Sequence, residues 1–204
     1  MDTRADSQPY RIAIFASGNG SNAEQIILYF SQHPQIKVSL LLSNNPDAAA
    51  LQRAARHGVE TINFDRHQFR ESEIVLKWLR EREVTHVVLA GFMWLVPAYL
   101  IKAYTDRMVN IHPALLPKFG GKGMYGMKVH EAVKLQNETA SGISIHVVNE
   151  HYDEGAILFQ CSCALTRDDT AEDIARKVQL LEHKFYPRVI EDWILQRKIR
   201  TDLT

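Results

Sequence analysis

Residues 11–30 read RIAIFASGNGSNAEQIILYF, and this stretch decides the fold. Residues 12–16 (IAIFA) form a short run without a polar residue, as expected of a strand buried on both faces. SGNGSN follows. From residue 23 to residue 31 apolar side chains then recur at helical spacing, at Ile26, Ile27 and Phe30. A buried strand, a glycine loop and a helix in this order open an α/β sheet whose ligands bind beyond the C-terminal ends of the strands.

The alternation continues outward. Residues 37–42 (KVSLLL) predict a second strand. Residues 47–57 predict a helix, with Asp47 placed to cap its start and Gly58 just past its end. Residues 60–64 give a weaker strand and residues 71–82 a helix with Ile74, Trp78 and Leu79 on one face. Residues 87–90 (VVLA) predict another buried strand, residues 97–104 a helix with proline in its first turn, and residues 108–112 a strand. Residues 128–135 read as helical. Residues 143–148 and 157–165 are two successive strands with a short link, hence an antiparallel pair. Residues 170–196 predict a closing helix broken or kinked at Pro187. The fold class is therefore α/β: a single Rossmann-like domain with a mostly parallel central sheet, helices on both faces, and an antiparallel strand pair in the C-terminal half. Residues 1–9 are expected to be a flexible N-terminus and residues 10–204 one domain.

Composition narrows the function. Lys plus Arg and Asp plus Glu number 24 each, which argues against general affinity for nucleic acid or anionic membrane. No apolar run approaches the ~20 residues of a membrane span, and the opening MDTRADSQPY lacks the apolar core of a signal peptide. Cys161 and Cys163 make no C-x-x-C signature and lie too close for a disulfide; they read as two small strand residues. A cytoplasmic protein is expected.

In Ser17–Ala23 (SGNGSNA) the glycines let the backbone approach a ligand, and free N–H groups at the helix start attract an anion. Ser21 and Asn22 add side-chain donors. The letters also fit G-x-G-x-x-A, but a dinucleotide site wants an acid at the end of the second strand. That strand ends Leu42-Ser43-Asn44-Asn45, so a monophosphate fits better. A plain tight turn would use the same letters.

Asn110 and His112 end an apolar strand at Pro113 and point to one side of it. A lone histidine is more often structural than catalytic. Here Ser144 and His146 on a later strand and Asp153 in the turn HYDEG add a second set. An Asp beside an imidazole favours its protonated form, and an Asn N–H can bind an oxyanion. Together they suit addition to a carbonyl. With no Ser or Cys set up as nucleophile, the attacking group would belong to a substrate.

SGNGSN, LAGFM (89–93), NIHPALLPKF (110–119), SIHVVNEHYDEG (144–155) and QLLEHKFYP (179–187) occur in an order that resembles the formyltransferases. Within them the chain is similar to the phosphoribosylglycinamide formyltransferase (glycinamide ribonucleotide transformylase) family of purine synthesis, from about residue 11 to residue 192. The resemblance implies 10-formyltetrahydrofolate as formyl donor, glycinamide ribonucleotide as acceptor, and no metal. It implies that Gly20, Ser21 and Asn22 bind the 5′-phosphate, and that Asn110, His112 and Asp153 are catalytic. Ser144 and His146 would support them, and Gln179 and Glu182 would lie near the ribose and glycinamide. Phe92, Met93, Leu95 and Val96, with Asn110, match the folate pocket. Arg66, His67 and Arg70 form a basic cluster, of which Arg70 is assigned to the folate's glutamate tail; a plain surface patch would look the same.

Two departures stand out. Trp94 occupies a position where many relatives carry Arg, and GGKGMYGMKVH (120–130) differs from the corresponding loop with its histidine pair. Lys122 or Tyr125 could meet substrate there, against a solvated loop. Methionyl-tRNA formyltransferase, with its further domain and basic face, and formyltetrahydrofolate hydrolase, with a regulatory N-terminal domain, are disfavoured by length. A sugar-phosphate sensor would need the glycine loop without the trio. The expected partners are small molecules, without nucleic acid or membrane, in a monomer or homodimer.

Overall fold

The computed structural model describes residues 9–199, so most of the expected N-terminal fray and the last five residues lie outside the described part. One seven-stranded sheet forms the centre, in the order β3-β2-β1-β4-β5-β6-β7. The strands are β1 (Tyr10–Phe15), β2 (Ile36–Ser43), β3 (Glu60–Asn63), β4 (His86–Leu89), β5 (Met108–His112), β6 (Ala140–Val147) and β7 (Ile157–Ala164). The first five pair in parallel; β6 runs antiparallel to both β5 and β7. The α/β class, the mostly parallel sheet and the antiparallel C-terminal pair stand as read from the sequence.

Helices cover both faces because each central strand is apolar on both. In β1, Ile12 and Ile14 join one core cluster while Ala13 and Phe15 join the other, as the two-residue side-chain period requires. The first cluster packs under α1 (Ser21–Phe30), α2 (Ala49–Arg56) and the long α7 (Ala171–Ile194). The second packs under α3 (Arg66–Arg70), α4 (Ile74–Glu81) and α5 (Ala98–Ala103). The remaining helix, α6 (Met127–Leu135), packs against α7.

Three local expectations change. Asp47 does not cap α2. The N-cap is Ala48, without a side-chain bond, and the Asp47 N–H instead donates to Asn45 Oδ1 at 3.0 Å. Gly58 does end that helix, at φ +72°: its N–H and that of Val59 close onto the Ala55 and Ala54 carbonyls, both at 3.0 Å. The helix expected from residue 71 begins only at Ile74, because Glu73 takes φ +51°. The separate α3 before it is held by a reciprocal capping box of Asp65 and Gln68. Pro187 does not break α7, which is one continuous helix. The burial of Phe185, Tyr186, Val189 and Ile190 holds the helix through the missing N–H. Tyr186 adds a pin, its hydroxyl donating to the Leu89 carbonyl at 2.8 Å, with Val109 O at 3.3 Å. That pair of contacts ties α7 to β5 and to the end of β4, which borders the cleft.

Candidate active site

The β5–β6 register builds the centre of the site. Asn110 stands opposite His146, and His112 opposite Ser144, so two short antiparallel strands bring four polar side chains together. The β6–β7 turn then carries Asp153 back over them, in a left-handed conformation at φ +57°. Asp153 Oδ2 lies 3.5 Å from His112 Nδ1, and Oδ1 lies 3.6 Å from His146 Nε2. All three side chains are buried, with only 11% of the Asp153 side chain exposed and less of the imidazoles.

Hydrogen bonds assign the protons. His146 Nδ1 donates to the Val147 carbonyl at 3.0 Å, leaving Nε2 to accept from Asn110 Nδ2 at 3.0 Å. The same amide reaches Asp153 Oδ1 at 3.4 Å, the longer and more readily exchanged bond. His112 Nε2 donates to the Phe119 carbonyl at 2.8 Å. With Nε2 on a carbonyl and Nδ1 facing a carboxylate, both nitrogens are best used when both carry protons. Burial pushes the His112 pKa down, opposed by the Asp153 charge and the Phe119 carbonyl. Burial would raise the Asp153 pKa, but the His112 imidazole and the Gly121 N–H, at 2.9 Å, act against it and the carboxyl stays below its ordinary range. An ionised acid gripping an imidazole beside an amide donor can stabilise negative charge arising on a carbonyl oxygen.

Ser144 does not face this space. Its hydroxyl is fully buried and donates to the Ala114 carbonyl at 2.7 Å while accepting from Leu116 N–H at 2.9 Å and Gln160 Nε2 at 2.7 Å. It clamps the turn that follows His112. Gln160, which also donates to the Leu116 carbonyl at 3.0 Å, is a member of this clamp that sequence reasoning missed. A polar residue on an outer strand carries no signal of such a role.

The trio opens onto a cleft of about 800 Å³ along the C-terminal ends of β1, β4 and β5. At one end lie Asn19, Asn22, Gln179 and Glu182. Gly20 caps α1 at φ +78°, and a Cβ there would come within 2.5 Å of Ala50, so the loop–helix junction requires glycine. Gln179 Nε2 donates to Ser21 Oγ at 3.2 Å, and Asn22 Nδ2 to Glu182 Oε2 at 2.9 Å. Burial pushes the Glu182 carboxyl up to about 7, against the Asn22 bond. Arg53 grips the back of the loop through Asn19, donating to its carbonyl at 3.0 Å, and pairs with Glu24. Ser17, also missed, knits the strand ends: its hydroxyl donates to Asn44 Oδ1 at 2.6 Å and accepts from Met93 N–H at 2.9 Å. Asn44 thus holds the loop at the point where a dinucleotide site would place an acid.

Phe92, Met93, Leu95 and Val96 form an apolar wall, with Trp94 among them. Phe92 also packs into the aromatic core with Phe15, Phe64 and Phe69, so it serves core and cleft together. Arg70 is exposed at the end of α3 and does not line the cleft. Lys122 and Tyr125 do line it, from the 118–127 loop, with Lys128 Nζ 4.7 Å over the Tyr125 ring. His130, on the buried face of α6, lines the cleft as well, and nothing in the helical pattern around it marked it out.

The family model described as "Formyl transferase" matches residues 10–190. The chain is 39% identical over 186 residues to phosphoribosylglycinamide formyltransferase, chloroplastic, of Arabidopsis thaliana, covering 88% of this chain and 64% of that protein. It therefore spans less than two thirds of the length of that plant relative. To phosphoribosylglycinamide formyltransferase of Bacillus subtilis it is 34% identical, covering 89% of this chain and 93% of the relative. The crystal structure of phosphoribosylglycinamide formyltransferase from Anaplasma phagocytophilum superposes with a TM-score of 0.85 at 32% identity, covering 95% of this chain and 90% of that one. With the match running through both halves of the cleft, the chain belongs to the formyl transferase family.

Proposed function

We propose that this chain, as one domain over residues 10–204, is a phosphoribosylglycinamide formyltransferase. It would transfer the formyl group of 10-formyltetrahydrofolate to the amine of glycinamide ribonucleotide, giving formylglycinamide ribonucleotide and tetrahydrofolate, in de novo purine (IMP) biosynthesis. The observation that carries the reading is the convergence of Asn110, His112 and Asp153 in a cleft with polar side chains at one end and an apolar wall.

The names of the relatives supply the acceptor, the sequence resemblance supplies the folate donor, and the polar and apolar parts of the cleft support both. Gly20, Ser21 and Asn22 receive the 5′-phosphate at the start of α1. Gln179 and Glu182 take the ribose and glycinamide. Phe92, Met93, Leu95 and Val96 receive the flat folate ring, with Asn110 between the two substrates. Arg70 can meet only a glutamate tail that extends beyond the cleft.

In the reaction the substrate amine attacks the formyl carbon. His112, protonated and held by Asp153, stabilises the oxyanion through the nitrogen now on the Phe119 carbonyl, so that carbonyl yields its place. Asn110 contributes the N–H that reaches Asp153 at 3.4 Å. One proton then leaves the attacking nitrogen and one reaches N10 of the folate through water, as the C–N10 bond breaks. No covalent enzyme intermediate and no metal is called for. All three groups come from a single chain, so a monomer or a homodimer serves equally. The two free thiols, Cys161 and Cys163, fit a reducing compartment such as the cytoplasm.

Incubation of the chain with glycinamide ribonucleotide and 10-formyltetrahydrofolate tests this. Tetrahydrofolate and formylated ribonucleotide are expected in equal amounts, and formate without ATP should not replace the donor. Absence of transfer, or transfer to water alone, would defeat the reading.

A further inference from the structure

His130 is a further imidazole in the cleft, besides His112 and His146, that the reaction as described leaves without a task. It sits on the inward face of α6 between Val129 and Val133, both fully or almost fully buried, and is itself only 6% exposed. Its Nδ1 is buried with no hydrogen-bond partner among the described residues. A leucine or methionine would fill the same position with no polar atom to satisfy. A ring with one nitrogen left unpaired inside the protein, at the border of the reaction cleft, can turn that nitrogen to a partner that enters with the substrates.

The position supports this. The 118–127 loop runs between the trio and α6. Its first part is anchored on the catalytic groups, through the Phe119 carbonyl on His112 and the Gly121 N–H on Asp153. Its far end enters α6 through Gly126, at φ +56°, three residues before the inward-facing pair Val129 and His130. His130 is close enough to His112 for the charge of one to disfavour charge on the other. Burial acts in the same direction and more strongly, bringing the His130 pKa down to about 4. The cleft therefore sets His130, kept neutral with one donor and one acceptor nitrogen, near the carboxylate-gripped His112.

We propose that His130 is a positioning residue of the formyl-transfer site, an uncharged hydrogen-bond partner that orients the water carrying the proton from the attacking nitrogen to the departing folate nitrogen. This rests on the formyl-transfer reading. The ring itself gains and loses no net proton; it holds the water beside His112, where the tetrahedral species forms. Water so placed makes the proton step intramolecular in effect, and misplacement by about 1 Å can cost on the order of 100-fold.

Three variants test it in the formyl-transfer assay. His130→Leu fits between the two valines and is expected to fold with a Tm no lower than the unmodified chain. Its kcat should fall roughly 10- to 100-fold with KM for both substrates within about threefold, and its solvent deuterium isotope effect on kcat should rise. His130→Gln, which keeps a donor and an acceptor, should recover most of the rate. His130→Ala should be partly restored by added imidazole. A leucine variant with unaltered kcat overturns the inference. So does a loss of rate that neither glutamine nor imidazole restores and that follows a fall in Tm. Absence of transfer by the unmodified chain removes the underlying reading and this inference with it.

Discussion

His112 is held between opposing influences. Burial favours its neutral form and puts its folded-state pKa below the ordinary value of 6.5, while Asp153 and the Phe119 carbonyl pull it back up. The oxyanion of the reaction adds negative charge beside it and raises the pKa again. In the proposed reaction the protonated ring is the active form, so kcat is expected to fall as pH rises through this ionisation. The alkaline limb should vanish in His112→Asn, along with most of the activity. A profile that stays flat between about pH 5 and about pH 9 would contradict the role. The members of the trio were legible because N-x-H closing an apolar strand and an Asp in a turn are unusual letters for those places. Ser144 was legible as a supporting residue, though its support is given to the turn after His112 and not to a substrate. His130 was invisible, since a histidine between valines on a helix reads as core until its unpaired nitrogen is seen.

At the scale of elements, the β1–α1 junction carries most of the local constraint. Gly20 is required twice over, by a positive φ and by a Cβ that would strike Ala50 of α2. Gly20→Ala is therefore expected to destabilise the chain by about 1–3 kcal/mol, lowering Tm by several degrees in a thermal melt. An unaltered Tm would show that the junction relaxes freely. It follows that loss of ribonucleotide binding in a Gly20 variant would report damage to the fold as well as to a phosphate site, and Ser21→Ala separates the two. The parallel strands were legible because strands buried on both faces have to be apolar throughout. The missed pieces depend on single backbone conformations. The left-handed Glu73 delays α4, and Asp47 spends its N–H on Asn45. The capping letters Asp65 and Gln68 were present in the sequence and could have revealed α3.

Over the whole molecule, the proposed function depends on the reversal of direction at β6. Five parallel strands place the glycine loop, the apolar wall and Asn110 at one edge of the sheet. The antiparallel return brings His146 and Ser144 into register with Asn110 and His112, and the turn after it delivers Asp153. The sequence indicated that the last two strands pair with each other. It did not indicate that β6 also pairs with β5, a contact between segments about thirty residues apart that only tertiary packing decides. The central claim is that this convergence makes the chemistry. It is tested most directly by single-turnover formyl transfer with Asp153→Asn, both substrates bound. The account predicts a chemical step slowed about 10²- to 10⁴-fold, with affinity for each substrate within about threefold. A chemical step of unaltered rate in that variant would contradict it.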